Sequence, residues 1–177
     1  MIEAAEPREI VALTEIGKGR SKTMVIRRTA RKALVTAQPE TTAQGLAAVM
    51  RNRHVGAVVV TEKGRPVGIV TDRDLVSRVM AAGRDALRVR ARDIMTRKVV
   101  TAREETPLAK VTEQMRARGV RRIPVVDGNG RLVNILTLDD MLVVLGDEIA
   151  NLGRAILVGM GRESRPAARR RGRSRRR

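Results

Sequence analysis

Two threonine–aspartate pairs of equal spacing are the residues of this sequence best suited to bind a small molecule. Thr71 precedes Asp74 by three positions, and Thr137 precedes Asp140 in the same way, each where a strand pattern gives way to a helix pattern. Unpaired N–H groups and the dipole at a helix start favour anions. A carboxylate accepts hydrogen bonds and donates none, so it suits the two hydroxyls of a ribose. The same spacing fits a capping box, and the two interpretations are compatible.

The composition argues against catalysis and against a metal centre. The sequence has no Cys and a single His, His54. A structural zinc site needs about four Cys or His ligands and a catalytic one about three, so we predict no metal. No nucleophile and base can be assembled around one His, and no carboxylate pair accompanies a nucleophile. We therefore expect a protein that is not an enzyme and requires no cofactor.

The middle of the chain contains an internal repeat. Residues 50–55, with the sequence MRNRHV, align with residues 115–120, MRARGV, at an offset of 65. Residues 68–74, GIVTDRD, align with residues 134–140, NILTLDD, at an offset of 66. Duplication at one period indicates two copies of a single structural unit.

Each copy has the pattern strand, helix, strand, strand, helix. In the second copy, a strand at residues 122–126 is followed by DGNG at residues 127–130. This is a strong hairpin signal, because Gly and Asn tolerate positive φ. In the first copy, Lys63 and Gly64 form the corresponding turn. The sequence therefore predicts an α/β fold of two β-α-β-β-α repeats, with small sheets covered by helices.

Several stretches resemble the CBS (cystathionine-β-synthase) domain. The best matches are RRIPVVD at residues 121–127 and GIVTDRDL at residues 68–75, while DIMT at residues 93–96 resembles the leader that opens a CBS repeat. In the first copy, RTAR at residues 28–31 occupies the place of this leader and departs from the family pattern. The resemblance implies a stand-alone, pseudo-symmetric pair of CBS repeats that acts as a regulatory sensor.

The family resemblance divides the chain into four parts. Residues 29–92 form the first repeat, and residues 93–161 form the second repeat with a long C-terminal helix. Residues 1–28 form a basic N-terminal extension. Residues 162–177 hold nine Arg and one Glu, a formal charge of +8 within a total of +18. This tail repels itself and has little apolar surface to bury, so we expect it to be disordered.

In CBS domains, the threonine–aspartate corner holds the ribose of an adenosine ligand. The resemblance therefore implies that AMP, ADP, ATP or S-adenosylmethionine binds between the repeats, with Asp74 and Asp140 on the ribose. It also implies that the strand after the first helix of each repeat lines the adenine, and that nearby cations bind phosphate. The candidate ligand-binding residues are Thr71, Asp74, Gly56, Ala57, Val58, Thr137, Asp140, Arg121, Arg122, Ile123, Pro124 and His54.

Some of these candidates also have a purely structural interpretation. Val58 and Ile123 suit a hydrophobic core, and a lone histidine such as His54 is usually a surface residue. Arg121 and Arg122 are adjacent on a strand, so their side chains point to opposite faces and only one can enter a given cleft.

Three residues set further expectations about the two corners. Pro124 removes a donor from the strand ladder, which predicts an edge or a bulge that faces a cleft. Gly68 leaves space in the cleft of the first copy, whereas Asn134 at the matching position crowds the second. We therefore favour the Thr71–Asp74 corner.

The partners are predicted from the last helix and from the tail. A helix from Leu138 to Val158 has a long apolar face, and the family resemblance implies a homodimer formed through such helices. The effector would be a separate protein, because the chain carries no output domain. The alternative function is a CBS-scaffolded dimer that binds nucleic acid non-specifically through Arg169 to Arg177. A third possibility is a structural dimer with empty clefts.

The location is predicted from what the sequence lacks. No apolar run approaches the roughly 18 residues of a membrane span, and the start of the chain has no signal-peptide pattern. We therefore expect a cytoplasmic protein without membrane contact.

Overall fold

The first repeat is a three-stranded sheet with helices. A computed structural model describes residues 34–163 of the chain. In the sheet, β1 (Thr36–Ala37) pairs in parallel with β2 (Ala57–Glu62), which pairs antiparallel with β3 (Arg65–Thr71). The order β1-β2-β3 places β2 in the middle. Between β1 and β2 runs helix α1 (Ala43–Arg53).

Two caps fix the ends of α1. The Thr42 hydroxyl accepts a hydrogen bond from the backbone N–H of Gly45 at 3.0 Å, which satisfies one of the unpaired donors of the first turn. At the other end, His54 adopts a left-handed conformation with φ of 52°, and its N–H bonds back to α1 carbonyls. The equivalent residue of the second repeat, Gly119, has φ of 61°. Both copies thus end this helix by the same αL reversal.

The first repeat closes with an irregular helix. Helix α2 (Asp72–Leu75) continues into a π-helical turn (Val76–Met80), which ends where the N–H of Ala81 donates to the carbonyl of Val76. A short helix, α3 (Ala91–Ile94), leads towards the second repeat.

The second repeat has the same order of elements. Strands β4 (Ala102–Arg103), β5 (Arg122–Val126) and β6 (Leu132–Thr137) form a sheet in that order, with β4 parallel and β6 antiparallel to β5. Helix α4 (Leu108–Arg118) connects β4 to β5, and α5 (Leu138–Glu163) follows β6. The prediction of an α/β fold with two β-α-β-β-α repeats is confirmed.

Each repeat has its own hydrophobic core. Both cores are aliphatic, because the sequence contains no aromatic residue. In the first core, Leu46 of α1 packs with Val58 and Val70 of the sheet. In the second core, Val111 of α4 packs with Ile123 and Leu136. Methionines complete both cores, since a flexible thioether fills irregular gaps.

The leader of the second repeat, residues 93–96, packs against the first repeat. Ile94 is buried in the first core, and the leader forms an antiparallel bridge to β3, in which Thr96 and Ile69 exchange two backbone hydrogen bonds of 2.9 and 3.2 Å. The repeats also meet at their hairpins, where the N–H of Leu132 donates to the carbonyl of Gly64 at 2.9 Å. Backbone pairing therefore joins the two repeats directly.

The chain divides into two compact units inside α5. The first ends at Met141 and contains both repeats, and the second begins at Leu142. None of the helices within residues 34–163 is long and apolar enough to cross a lipid bilayer. The predicted N-terminal extension, residues 1–28, and the predicted tail from residue 164 onward lie outside the described residues.

Candidate functional site

The first threonine–aspartate corner lies where β3 ends and α2 begins. The backbone N–H and the hydroxyl of Thr71 both donate to Asp74 Oδ2, at 2.8 and 2.7 Å, and the N–H of Asp74 lies 3.2 Å from the Thr71 hydroxyl oxygen. This is a complete capping box. Both residues are half-buried, so the pair is preorganised and within reach of solvent.

The second corner has the same geometry. The N–H and the hydroxyl of Thr137 donate to Asp140 Oδ2 at 2.9 and 2.6 Å, and the N–H of Asp140 lies 3.1 Å from the Thr137 hydroxyl. The capping interpretation therefore holds at both corners. A carboxylate has about four acceptor positions, so a cap on Oδ2 does not by itself use all of them.

Gly56 marks the place where the first corner meets the second repeat. Its carbonyl accepts from the N–H of Asp72, which ties it to the start of α2. A β-carbon at Gly56 would lie 3.0 Å from Asp72 Oδ2 and 3.2 Å from Arg122 Nη2. The missing side chain thus lets the carboxylate of Asp72 and the guanidinium of Arg122, which comes from the other repeat, both approach Gly56.

The two neighbouring arginines of the second repeat have different positions. Arg122 is half-buried and reaches Gly56 of the first repeat, whereas Arg121 is exposed and its carbonyl accepts from the N–H of Leu138. Arg121 precedes β5, which begins at Arg122, so the two side chains do not alternate along one strand as predicted. Arg122 also pairs across the sheet with Thr137 of the second corner.

The residues predicted to line the adenine are mostly core residues. Val58 and Ile123 have no exposed surface and pack in the two cores. Ala57 is nearly buried and pairs across the sheet with Thr71. Any contact of these residues with a ligand would therefore come from their backbone groups rather than from their side chains.

The expectation that Pro124 lies at a sheet edge is wrong. Pro124 is buried in β5, the middle strand of its sheet, opposite Ile135. The strand tolerates it because β4 spans only two residues and its pairing with β5 begins at Val125, one position further on. An irregularity in the pairing with β6 lies next to it, between Val125 and Val126.

His54 lies at the C-terminus of α1, where it is exposed and forms the left-handed cap. This position agrees with the surface interpretation of a lone histidine. As a contact to a ligand, His54 stays a prediction.

The prediction that Gly68 leaves space for a ligand is also wrong. A β-carbon at Gly68 would lie 2.3 Å from the sulfur and 2.9 Å from the β-carbon of Met95, so the space belongs to the leader and not to a ligand. At the matching position, Asn134 is buried and its Oδ1 accepts from the N–H of Ile135 at 2.8 Å. The glycine serves the packing of Met95, and a preference for the first corner must rest on Gly56 and Arg122.

Arg78 contacts the first corner, although it is not among the site residues predicted from the sequence. Its Nε lies 3.3 Å from Asp74 Oδ1, and its guanidinium also donates to the carbonyl of Ile94 and to the Thr96 hydroxyl. The i,i+4 spacing of Asp74 and Arg78 in the sequence was the available signal. No group of three or more metal-ligating side chains occurs in the part of the chain that the structure describes.

Comparison with known proteins identifies the family of this fold. The sequence model of the CBS domain matches residues 26–81 and 91–147, most of the chain. The chain belongs to the CBS domain family. The two matched segments correspond to the two observed repeats, and the predicted tandem CBS pair is confirmed. CBS pairs are generally regulatory modules rather than catalysts.

Relatives of this CBS protein include an uncharacterized protein of Methanopyrus kandleri, MK0525. The two are 42% identical over 116 residues, which are 65% of this chain and 59% of that protein. The chain therefore matches less than two thirds of this relative's length. The CBS domain-containing protein YhcV of Bacillus subtilis is 34% identical over 110 residues, which are 62% of this chain and 77% of YhcV.

Two solved structures of similar fold contain adenosine compounds. The CBS domain pair of protein MJ0100, in complex with 5′-methylthioadenosine and S-adenosyl-L-methionine, is similar with a TM-score of 0.64 and 25% identity over 71% of this chain and 98% of that one. The cytosolic domain of the Mg²⁺ channel MgtE, in complex with ATP, has a TM-score of 0.53 and 30% identity over 62% of this chain and 44% of that one.

Proposed function

We propose that this CBS pair is a non-catalytic regulatory module that binds an adenosine-containing ligand between its repeats. The observation that carries the proposal is the capped Thr71–Asp74 corner at the start of α2, where Asp72 and Arg122 of the other repeat both approach Gly56. The complexes of MJ0100 and of MgtE support an adenosine compound as the ligand class. AMP, ADP, ATP and S-adenosylmethionine all carry the ribose that this corner suits.

Each residue of the first corner has a distinct task in the proposal. Asp74 accepts the ribose hydroxyls on Oδ1 while Oδ2 keeps the helix cap, so binding does not require the helix start to unravel. Ala57 and Val58 offer backbone groups to the adenine from the strand beside Thr71. Arg122 places a delocalised cation that pairs with a phosphate or a carboxylate of the ligand.

The second corner is a candidate for a second molecule of the same ligand class. Thr137 and Asp140 repeat the geometry of the first corner, and Ile123 and Pro124 occupy the strand positions of Val58 and Val59. Arg122 stands where the first repeat has the small Ala57, so its side chain takes up room next to this corner. We expect the second corner to bind more weakly.

Absorbance spectroscopy and calorimetry test the proposal. The chain has no Phe, Tyr, Trp or Cys, so it is nearly transparent in the ultraviolet band of adenine. We expect the purified protein to release an adenine-absorbing small molecule on denaturation and filtration, which mass spectrometry can identify. AMP, ATP and S-adenosylmethionine are then titrated into the emptied protein. If none of the three gives a saturable heat, the proposal is wrong.

We also propose a homodimer as the assembly that carries the regulatory signal to a separate effector protein. Within the second unit, α5 exposes Leu142, Leu145, Ile149, Leu152 and Ile156. They alternate at spacings of three and four residues, which places them on one face and is the pattern by which two helices pair.

The charges of this segment favour a second copy of the chain over a membrane surface. Between residues 142 and 158 the charged residues are Asp147, Glu148 and Arg154. Helices that lie on membranes have a polar face rich in Lys and Arg, which this segment lacks. In an antiparallel pair, the acids of one helix approach the arginine of the other.

The test is the mass in solution of a variant with Leu145, Ile149 and Leu152 replaced by serine. All three side chains are exposed, so we expect a folded monomer where the unmodified protein is a dimer. Lipid vesicles with neutral and with anionic headgroups provide the second arm. A monomeric unmodified protein, or one that binds vesicles through these residues, would contradict the dimer.

Nucleic-acid binding through the Arg-rich tail is the second candidate function. It is favoured by the nine arginines of residues 162–177, which include Arg169 to Arg177. Such binding depends on phosphate contacts and weakens steeply with salt. Removing residues 164–177 should abolish binding to duplex DNA and leave adenosine binding unchanged. If the shortened protein loses adenosine binding instead, the division of the two functions is wrong.

A further inference from the structure

We propose that Arg78 is a positioning residue that couples the Thr71–Asp74 corner to the leader of the second repeat. The part of this inference that concerns ligand rests on the proposed function. The coupling itself does not, because it is built from contacts within the protein.

One guanidinium makes all the contacts on which the coupling depends. Arg78 Nε lies 3.3 Å from Asp74 Oδ1, its Nη1 donates to the carbonyl of Ile94, and its Nη2 lies 3.4 Å from the Thr96 hydroxyl. Asp74 is 13% exposed, whereas Arg78 remains 44% exposed and free to change partners. A planar fork with several fixed donors can hold a carboxylate and a backbone carbonyl at once.

The leader is placed so that a change at this corner can affect its packing. It is bridged to β3 through Ile69 and Thr96, and Met95 fills the space above Gly68. The same strand ends at Thr71, so the corner and the leader are connected by backbone as well as by Arg78. Beyond the leader the chain enters the second repeat. A change in the hydrogen bonds of Arg78 therefore acts on the segment that joins the repeats.

The π-helical turn supplies the local irregularity at Arg78. Val76 to Met80 form an i to i+5 turn directly after the four residues of α2. Inserting a residue into a helix rotates the side chains that follow, and such turns are frequent at functional sites. Within this turn, the hydroxyl of Ser77 donates a hydrogen bond to the carbonyl of Arg73 at 2.7 Å.

The second repeat has no equivalent donor at this position. With the offset of 66, Val144 stands where the first repeat has Arg78, and a valine side chain carries no hydrogen-bond donor. Both corners keep the same cap, but the residue that holds the leader in the first repeat is replaced by a valine in the second.

A bound ribose acts on this coupling through Asp74 Oδ1. Oδ2 already accepts from both the N–H and the hydroxyl of Thr71, so a ligand hydroxyl must share Oδ1 with Arg78 or displace it. In either case the hydrogen bonds of the guanidinium to Ile94 and Thr96 change: they either strengthen or break. Occupancy of the corner is thus transmitted to the leader.

Hydrogen exchange in the ligand-free full-length protein tests the coupling first. The probes are the amides of Met95 and Thr96, which bond to the carbonyls of Ala91 and Ile69. We expect R78M and D74N each to accelerate exchange at these amides by about fivefold, the change that loss of one hydrogen bond of ordinary strength produces. D74N retains an oxygen for the cap, so the helix start is kept.

The double variant and the controls decide the outcome. If Arg78 transmits the effect of Asp74, D74N/R78M exchanges no faster than R78M, whereas additive effects overturn the proposal. D140N, at the matching position of the second repeat, should leave the leader amides unchanged. R78K keeps the charge without the fork and should fall between the native protein and R78M, so that misfolding of R78M does not decide the result.

Ligand is added in a second step, with AMP and S-adenosylmethionine as the probes. We expect either compound to change leader exchange in the native protein and to leave it unchanged in R78M that still binds. An equal change in R78M would show that the signal bypasses Arg78. If neither compound binds, the proposed function fails, while the ligand-free comparison still decides the coupling.

Discussion

The two repeats share the geometry of the corner and differ in nearly everything around it. The hydroxyl-to-carboxylate distance is 2.7 Å between Thr71 and Asp74 and 2.6 Å between Thr137 and Asp140. Several nearby residues differ across the alignment. Four such pairs of aligned positions are Gly56 and Arg121, Ala57 and Arg122, Gly68 and Asn134, and Arg78 and Val144.

This difference shows what the backbone alone can define. The capping box requires only a strand that leads into a helix and a threonine and an aspartate three positions apart, so both repeats form it. Access and charge depend on side chains that arrive from elsewhere in the fold, as Arg122 of the second repeat does at Gly56. Similar corners are therefore compatible with unequal affinity.

The largest expected effect separates the two corners by affinity. We expect Asp74→Ala to weaken adenosine-ligand binding by about 10- to 100-fold, because hydrogen bonds to a charged group are lost. Asp140→Ala should weaken it much less if the first corner is the main site. Isothermal titration with AMP measures both, and Thr42→Ala, which removes the cap of α1, controls for a general loss of stability. Equal losses in the two aspartate variants would remove the distinction between the corners.

A smaller effect tests why the first repeat needs Gly68. We expect Gly68→Ala to lower the free energy of unfolding by about 1–3 kcal/mol, because the new methyl group overlaps Met95. Gly128→Ala is the matched control, since a β-carbon there meets nothing within 4 Å. Denaturant unfolding gives the values. The double variant Gly68→Ala/Met95→Ala should lose the strain between these two positions, and if it is as unstable as the sum of the single variants, Met95 does not explain the glycine.

The smallest effect sharpens the role of the inter-repeat arginine. We expect Arg122→Ala to weaken ATP binding by about fivefold, because an ion pair that solvent can reach contributes up to about 1 kcal/mol, and to leave the affinity for adenosine unchanged. Arg121→Ala is the control, because Arg121 is exposed and outside the contact with Gly56. Competition between the two ligands measures the ratio. An identical loss for adenosine and ATP would mean that Arg122 supports the fold and not the phosphates.

Much of the architecture could be predicted because it depends on residues close together in the chain. The repeat offset, the hairpin turns and the threonine–aspartate spacing each involve a few neighbouring positions, and all of them appear in the structure. The helix predicted from Leu138 to Val158 is observed as Leu138–Glu163. Local patterns determine these elements, since hydrophobic period, turn chemistry and capping act within one element at a time.

The errors and omissions concern residues far apart in the chain. Gly68 was interpreted as open space, but a methionine 27 positions later fills it. Pro124 was expected at an edge, but the short reach of β4 lets the middle strand accept it. Arg78 was overlooked, because its partners Ile94 and Thr96 lie 16 and 18 positions away.

The sequence by itself determined two like repeats, their α/β class and the two threonine–aspartate corners. Only the tertiary structure decided what surrounds the first corner, where Arg122 reaches Gly56 across the repeats and Arg78 ties Asp74 to the leader. The physical reason is one of range. Helices, turns and caps are fixed by neighbours along the chain, whereas the surroundings of a site depend on which distant side chains the packing brings to it.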